Sequence, residues 1–221
     1  MTAFGKHYDE KEIFRKVIIG EFGPTKPVLC KFAQDLLDDI PRWFWMESAS
    51  SSGKFHPDHE LGEGGLARHS LMVYRWLDTL LEANEQNMSD FVPGMDFACL
   101  FHDCCKRGMP GEEPSDHTLF EHPVLAAKFV IDSAEKFMKE NRDFIDSTAD
   151  DEDSFKHDVA VAASCIEAHM GKFNTSPHSE VVLPRPKTAI QYMVHLADYC
   201  ASRKFTKFDF DWFMEKNYME A

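Results

Sequence analysis

Apolar residues recur at helical spacing along most of this 221-residue chain, and almost nothing alternates as a half-buried strand would. Pro27 suits a first helical turn, and Phe32, Leu36, Leu37 and Ile40 follow it. A glycine-rich turn opens GEGGLARHSLMVYRWLDTLLEA, where Leu66, Val73, Leu77, Leu80 and Leu81 share one broad face and His69 sits near the N-terminal end. MDFACLFHDCCK is nearly all apolar until His102. HPVLAAKFVIDSAEKFM carries proline near its start, SFKHDVAVAASCIEAHM runs to a stop at Gly171, and TAIQYMVHLADYCASRKF forms a sixth helix. Strand-like runs are confined to WFWM and residues 181–183. The pattern predicts an all-α, compact helical bundle with little or no β structure and long proline-broken loops at 107–121 and 172–188. It reads as a single domain, in which residues 1–55 are an N-terminal helical extension of a core at 60–205.

Charge and cysteine usage narrow what such a bundle does. No apolar stretch approaches the roughly 20 residues of a membrane span, and MTAFGKHYDEKE lacks a signal-peptide pattern, so the expectation is a cytoplasmic protein with no membrane partner. Cys30, Cys99, Cys104, Cys105, Cys165 and Cys200 form no CxxC and lie mostly in apolar helical patterns, which suits a reducing compartment. The formal charge of −14 repels a long polyanion, so long nucleic acid is a less favoured partner than a small substrate. Much of that charge crowds Glu140, Asp143, Asp146, Asp150, Asp151, Glu152 and Asp153, which read as a solvated loop.

An apolar helix that ends in His102 and Asp103 needs a reason. The pair could simply cap the helix or face water. However, His69, His122 and His169 each fall at or near the end of a separate predicted helix, and Asp198 interrupts the apolar VHLADYCA, where an unpaired charge would be costly. Imidazole and carboxylate together suit borderline transition metals, and side chains on facing helices can build such a site in a bundle core.

The order His69, His102 and Asp103, His122, His169, Asp198 resembles the HD-domain metal-dependent phosphohydrolase superfamily, in the version with two extra histidines seen in its dinuclear members. GEGGLARHS resembles the family's glycine-led first histidine, LFHDCCK its HDxxK, HMGKF its H-x-G-aromatic segment and VHLADYCAS its last aspartate helix, over roughly residues 60–205. The resemblance implies that His69, His102, Asp103 and Asp198 hold one divalent ion, while His122, His169 and a bridging Asp103 hold a second; Mn, Fe, Ni, Co and Zn all remain open. Cys104 and Cys105 replace the usual small aliphatics, and His117 and His195 are rival histidines. It further implies hydrolysis of a phosphoester or phosphoanhydride by a hydroxide held on the metal, with Asp103 and Lys106 as catalytic groups. Lys106 comes four residues after His102, so in a continuing helix its ammonium shares the ligand face and can contact a phosphate oxygen.

Upstream, SASSSGKFHPDHELGEGG either folds over the site as a lid supplying Lys54 and His56 to substrate or is a solvent loop. Arg68 and Arg203 flank ligand helices and could reach a substrate anion. Trp43, Trp45 and Trp76 could stack a base, although most aromatics must be core. A nucleotide or short oligonucleotide is the expected substrate. GGLARHS also resembles HD-type exonuclease domains, so 3′–5′ cleavage at nucleic-acid ends stays open, as do a non-catalytic nucleotide-binding module and a di-iron oxygenase. Oligomeric state is not legible in the sequence.

Overall fold

A computed structural model describes residues 9–50, 52–84, 87–148 and 152–204. Residues 1–8 (MTAFGKHY), Asp150 and Asp151 of the acidic segment, and Phe205 at the end of the last predicted helix lie outside them. Among the described residues there are eight α-helices and no strand: α1 Glu10–Phe22, α2 Pro27–Asp39, α3 Gly65–Glu82, α4 Val92–Phe101, α5 His122–Glu140, α6 Arg142–Ser147, α7 Glu152–Ala168 and α8 Ala189–Ala201. No described helix is long and apolar enough to cross a membrane.

Local chemistry explains most boundaries. Asp9 caps α1 by accepting from the Glu12 N–H, and prolines sit in the first turns of α2, α4 and α5. Thr188 and Gln191 form a reciprocal capping box at the start of α8. Apolar α4 is the central element, with Phe97, Ala98, Cys99, Leu100 and Phe101 fully buried. It packs against α3 and α7, and α8 lies along α3. One continuous core runs from α1 to α8. In it the Phe32 ring of α2 stacks on Phe97 of α4 at 5.5 Å and meets Phe155 of α7 edge-on at 5.4 Å. Residues 10–39 are therefore built into the same core as the later helices.

Four readings of the sequence need correction. WFWM is not strand-like: residues 42–45 form a 3₁₀ turn whose Phe44 is buried against Phe14. Among the described residues, 181–183 have no strand partner: the Leu183 N–H bonds to the Asn174 carbonyl across the loop, and the one isolated bridge joins Ser176 to Ser179. The acidic segment is solvated but largely helical, since Asp143 and Asp146 lie on α6 and Glu152 and Asp153 open α7. Finally, α4 ends at Phe101, and tight turns carry the chain through residues 102–107.

The entry to α3 is fixed by two glycines and an arginine. Gly64 adopts φ +73, and a Cβ on Gly65 would lie 2.2 Å from the Glu60 carbonyl, so the helix start presses directly on the 58–60 turn. Arg68 clamps that turn by donating to the carbonyls of His59 at 2.6 Å and Glu63 at 2.8 Å and by pairing with Glu10. Its side chain is 6% exposed and Glu10's 12%. Arg68→Met is expected to cost about 3–5 kcal/mol, the usual loss when one partner of a buried pair is removed. Denaturant unfolding checks this, and a change below about 1 kcal/mol would show the clamp to be dispensable.

Candidate metal centre

The six expected ligands converge from five segments of chain. His69 lies in the first turns of α3, His102 and Asp103 directly after α4, His122 at the first residue of α5, His169 directly after α7, and Asp198 within α8. His69 Nε2 is 3.1 Å from Asp198 Oδ1, and His102 Nε2 is 3.9 Å from the same oxygen. Asp103 faces the other side: Oδ1 lies 3.0 Å from His122 Nε2 and 3.9 Å from His169 Nε2, while Oδ2 lies 3.5 Å from His102 Nε2. Donor atoms of His69, His102 and Asp198 fall within 4.8 Å of one another, as do those of His102, Asp103 and His169, so either group could hold a metal ion.

The far nitrogens of the rings reveal what the near ones do. His102, His122 and His169 each place Nδ1 on the carbonyl three residues earlier, that of Cys99 at 2.9 Å, Leu119 at 2.7 Å and Ile166 at 2.8 Å. A carbonyl only accepts, so each Nδ1 carries a proton, and in its neutral form each ring turns a bare Nε2 lone pair inward. There the lone pairs meet further acceptors. His102 Nε2 and Asp103 Oδ1 are buried without a hydrogen bond, and His122 Nε2 lies 3.3 Å from His169 Nε2. Two lone pairs tolerate that separation only with a proton or a metal ion between them. Anchored outer nitrogens, inward Nε2 atoms and carboxylates among them fit a borderline divalent metal.

Electrostatics agree with this arrangement. Burial pushes His169 down to about 3, so it stays neutral. Burial opposes ionisation of Asp103 and Asp198, yet the Lys106 ammonium at the first and His69 at the second outweigh it and hold both carboxyls well below their usual range. His69 is the exception. Burial disfavours its charge, but Glu60 and Asp198 on opposite sides raise it to about 10. That pair energy stabilises the metal-free fold fully below the ordinary histidine value of 6.5 and is lost as pH rises through about 10. A metal ion on Nε2 must displace this proton. From neutral pH up to about 10 the apparent affinity should therefore rise about tenfold per pH unit, with about one proton released per ion from His69. Calorimetry in buffers of different ionisation enthalpy counts that proton, and a count near zero would rule out His69 as a ligand.

The remaining expected site residues divide sharply. Lys106 and Arg203 line the pocket of about 540 Å³ that opens onto the centre, and His56 lines it too. Lys106 Nζ sits 2.6 Å from Asp103 Oδ2, reached through the turn after α4 rather than along a continued helix face. Lys54 is exposed with its ammonium over the Phe55 ring at 5.2 Å, outside the pocket lining. Arg68 is turned into its clamp and is absent from the pocket lining, which corrects the expectation that it reaches a substrate anion. His117 is exposed, and His195 lines the pocket while its Nδ1 donates to the His169 carbonyl at 2.7 Å. His195 can do so because its ring fills the space where a Cβ on Gly171 would stand, 2.2 Å from Cε1, and Gly171 keeps φ +56.

Glu60 was not foreseen. Fully buried, it joins His56 Nδ1 at 2.7 Å to His69 Nδ1 at 3.1 Å, fixing the ring of a proposed ligand. Glu60→Gln should weaken metal binding by about 10–100-fold while the fold persists. Metal titration with circular dichroism checks it; unchanged affinity would make Glu60 merely a partner of His56.

No family model matches the sequence, and no curated protein or solved structure matches it either. The site's own geometry must then carry the functional conclusion.

Proposed function

We propose that this chain is a metal-dependent phosphohydrolase of the HD type, acting on a phosphoester or phosphoanhydride of a nucleotide or short oligonucleotide. The observation that carries the reading is the inward convergence of buried Nε2 and carboxylate oxygens, their outer nitrogens already bonded, at the floor of a pocket that also presents Lys106. The ordered sequence words around these residues support the HD assignment. Two ions are proposed, one on His69, His102, Asp103 and Asp198 and one on His122, His169 and Asp103. Divalent ions so held would supply a hydroxide nucleophile near neutral pH and would polarise a phosphoryl oxygen.

The chain's own groups do the rest. Asp103 faces both halves of the centre and keeps them at fixed separation. Lys106 places an ammonium beside it, where charge accumulates on the phosphoryl oxygens during displacement. His102 and His169, held neutral, keep their lone pairs available at working pH. The free thiols among the described residues suit the proposed cytoplasmic setting.

Metal-loaded protein incubated with a nucleotide panel and a generic aryl phosphodiester, followed by product chromatography, tests the reading. Phosphate or nucleoside release that disappears on metal removal is the expected result. Full metal occupancy with no turnover of any panel member would instead make the pocket a binding site. Elemental analysis of anaerobically purified protein separates iron from manganese and so tests the oxygenase alternative.

A further inference from the structure

The mouth of the pocket carries a second pattern that the metal centre does not use. Phe55 and Phe173 are large apolar side chains left 53% and 45% exposed, and both line the pocket that opens onto the centre. Three cations are interleaved with them, Lys54 Nζ lying 5.2 Å from the Phe55 ring centre. Lys172 Nζ lies 5.2 Å from the Phe173 ring centre and 5.4 Å from that of Tyr199; the Arg203 guanidinium lies 4.0 Å from Tyr199 and 5.3 Å from Phe55. The order Phe173, Lys172, Tyr199, Arg203, Phe55 is therefore an unbroken alternation of ring and cation along one rim. Its parts come from three segments: the loop before α3, the 3₁₀ turn after α7 and the end of α8. A backbone bond of 2.9 Å from the Lys204 N–H to the Phe55 carbonyl ties the first to the last.

Exposed phenylalanines beside cations suit a ligand with a flat π-face and negative charge close by. We propose that this rim is a base platform: it stacks the nucleobase of a single nucleotide whose phosphate lies at the metal centre, and it makes the site prefer base-bearing over base-less phosphates. The proposal rests on the phosphohydrolase reading for the placing of the phosphate. Stacking is tolerant of base identity, so the platform grips purines and pyrimidines alike. With only three cations in the described rim of a chain of net charge −14, a single nucleotide fits better than a long strand.

The test compares two probes that cannot be hydrolysed, the methylene phosphonate analogues of adenosine 5′-monophosphate and of ribose 5-phosphate, titrated into the full, metal-loaded chain. The adenosine analogue should bind about 10- to 100-fold more tightly, the usual contribution of one base stacked on aromatic side chains. Phe55→Ala with Phe173→Ala should bring that ratio to within about threefold of unity, with the sugar analogue's affinity, metal content and melting temperature unchanged. Phe55→Tyr should retain the ratio. Equal binding of both probes by the wild type, a ratio that survives the double substitution, or no binding of either probe would each overturn the platform. Absence of hydrolysis across the substrate panel would sink the phosphohydrolase reading alone, because the probe ratio is read without turnover.

Discussion

Asp103→Ala is expected to remove metal from both halves of the centre and to lower turnover by at least about 10³-fold, since the ions supply several kcal/mol of the catalysis proposed. The reason is positional. One carboxylate oxygen faces His122 and His169, and the other lies on the His102 side, so Asp103 can offer an oxygen to each proposed ion. The double variant His102→Ala with Asp103→Ala should empty the site. His169→Ala, by contrast, should loosen the second ion only, because its Nε2 lies against Asp103 and His122. Metal content measured per protein chain decides the matter. Equal loss of a single ion from every variant would favour a mononuclear centre, and unchanged content in the double variant would end the metal assignment.

Lys106→Ala should lower kcat by about 10²–10³-fold, more than it raises KM, because a preorganised donor near developing phosphoryl charge acts mainly in the transition state. Lys106→Arg should recover little, since a broad planar fork replaces a compact ammonium. The contact of 2.6 Å to Asp103 offers a competing account in which the lysine only balances the buried carboxylate. The two accounts differ in what moves. A charge-balancing lysine, once removed, lets the Asp103 carboxyl rise and weakens metal binding at acid pH. A phosphate contact leaves metal content alone and costs rate. Near-normal turnover at saturating substrate would rule out the catalytic role.

The helices that carry the proposed ligands were legible because their apolar faces repeat with helical period, and the proposed ligands because a histidine or carboxylate at the edge of such a face is conspicuous. His102 and Asp103 stand out against the apolar run before them, and Asp198 against its neighbours. Glu60 offered no such contrast. It lies in an irregular turn between charged and glycine residues, and its importance comes from Gly65 pressing α3 onto that turn, a contact that no local pattern encodes. Arg68 misled for a related reason: its place beside a ligand says nothing of which way the helix turns it, and it points into the clamp. The ring of α2 that stacks on α4, and the aromatic and cationic rim assembled from three distant segments, likewise arise from tertiary packing alone.

The span of chain gathered by the centre has a kinetic consequence. His69 and Asp198 stand 129 residues apart, with the other ligands between them. A bound ion would act as a reversible cross-link that closes almost the whole bundle, and opening of any one contributing segment would break it. Amide hydrogen exchange in α8 should therefore slow when the ion is bound. At a free concentration of 100 times its dissociation constant, the ion would add about 2.7 kcal/mol to the folded state. Chelation would then be felt far from the pocket, as faster hydrogen exchange along helices that never touch the metal.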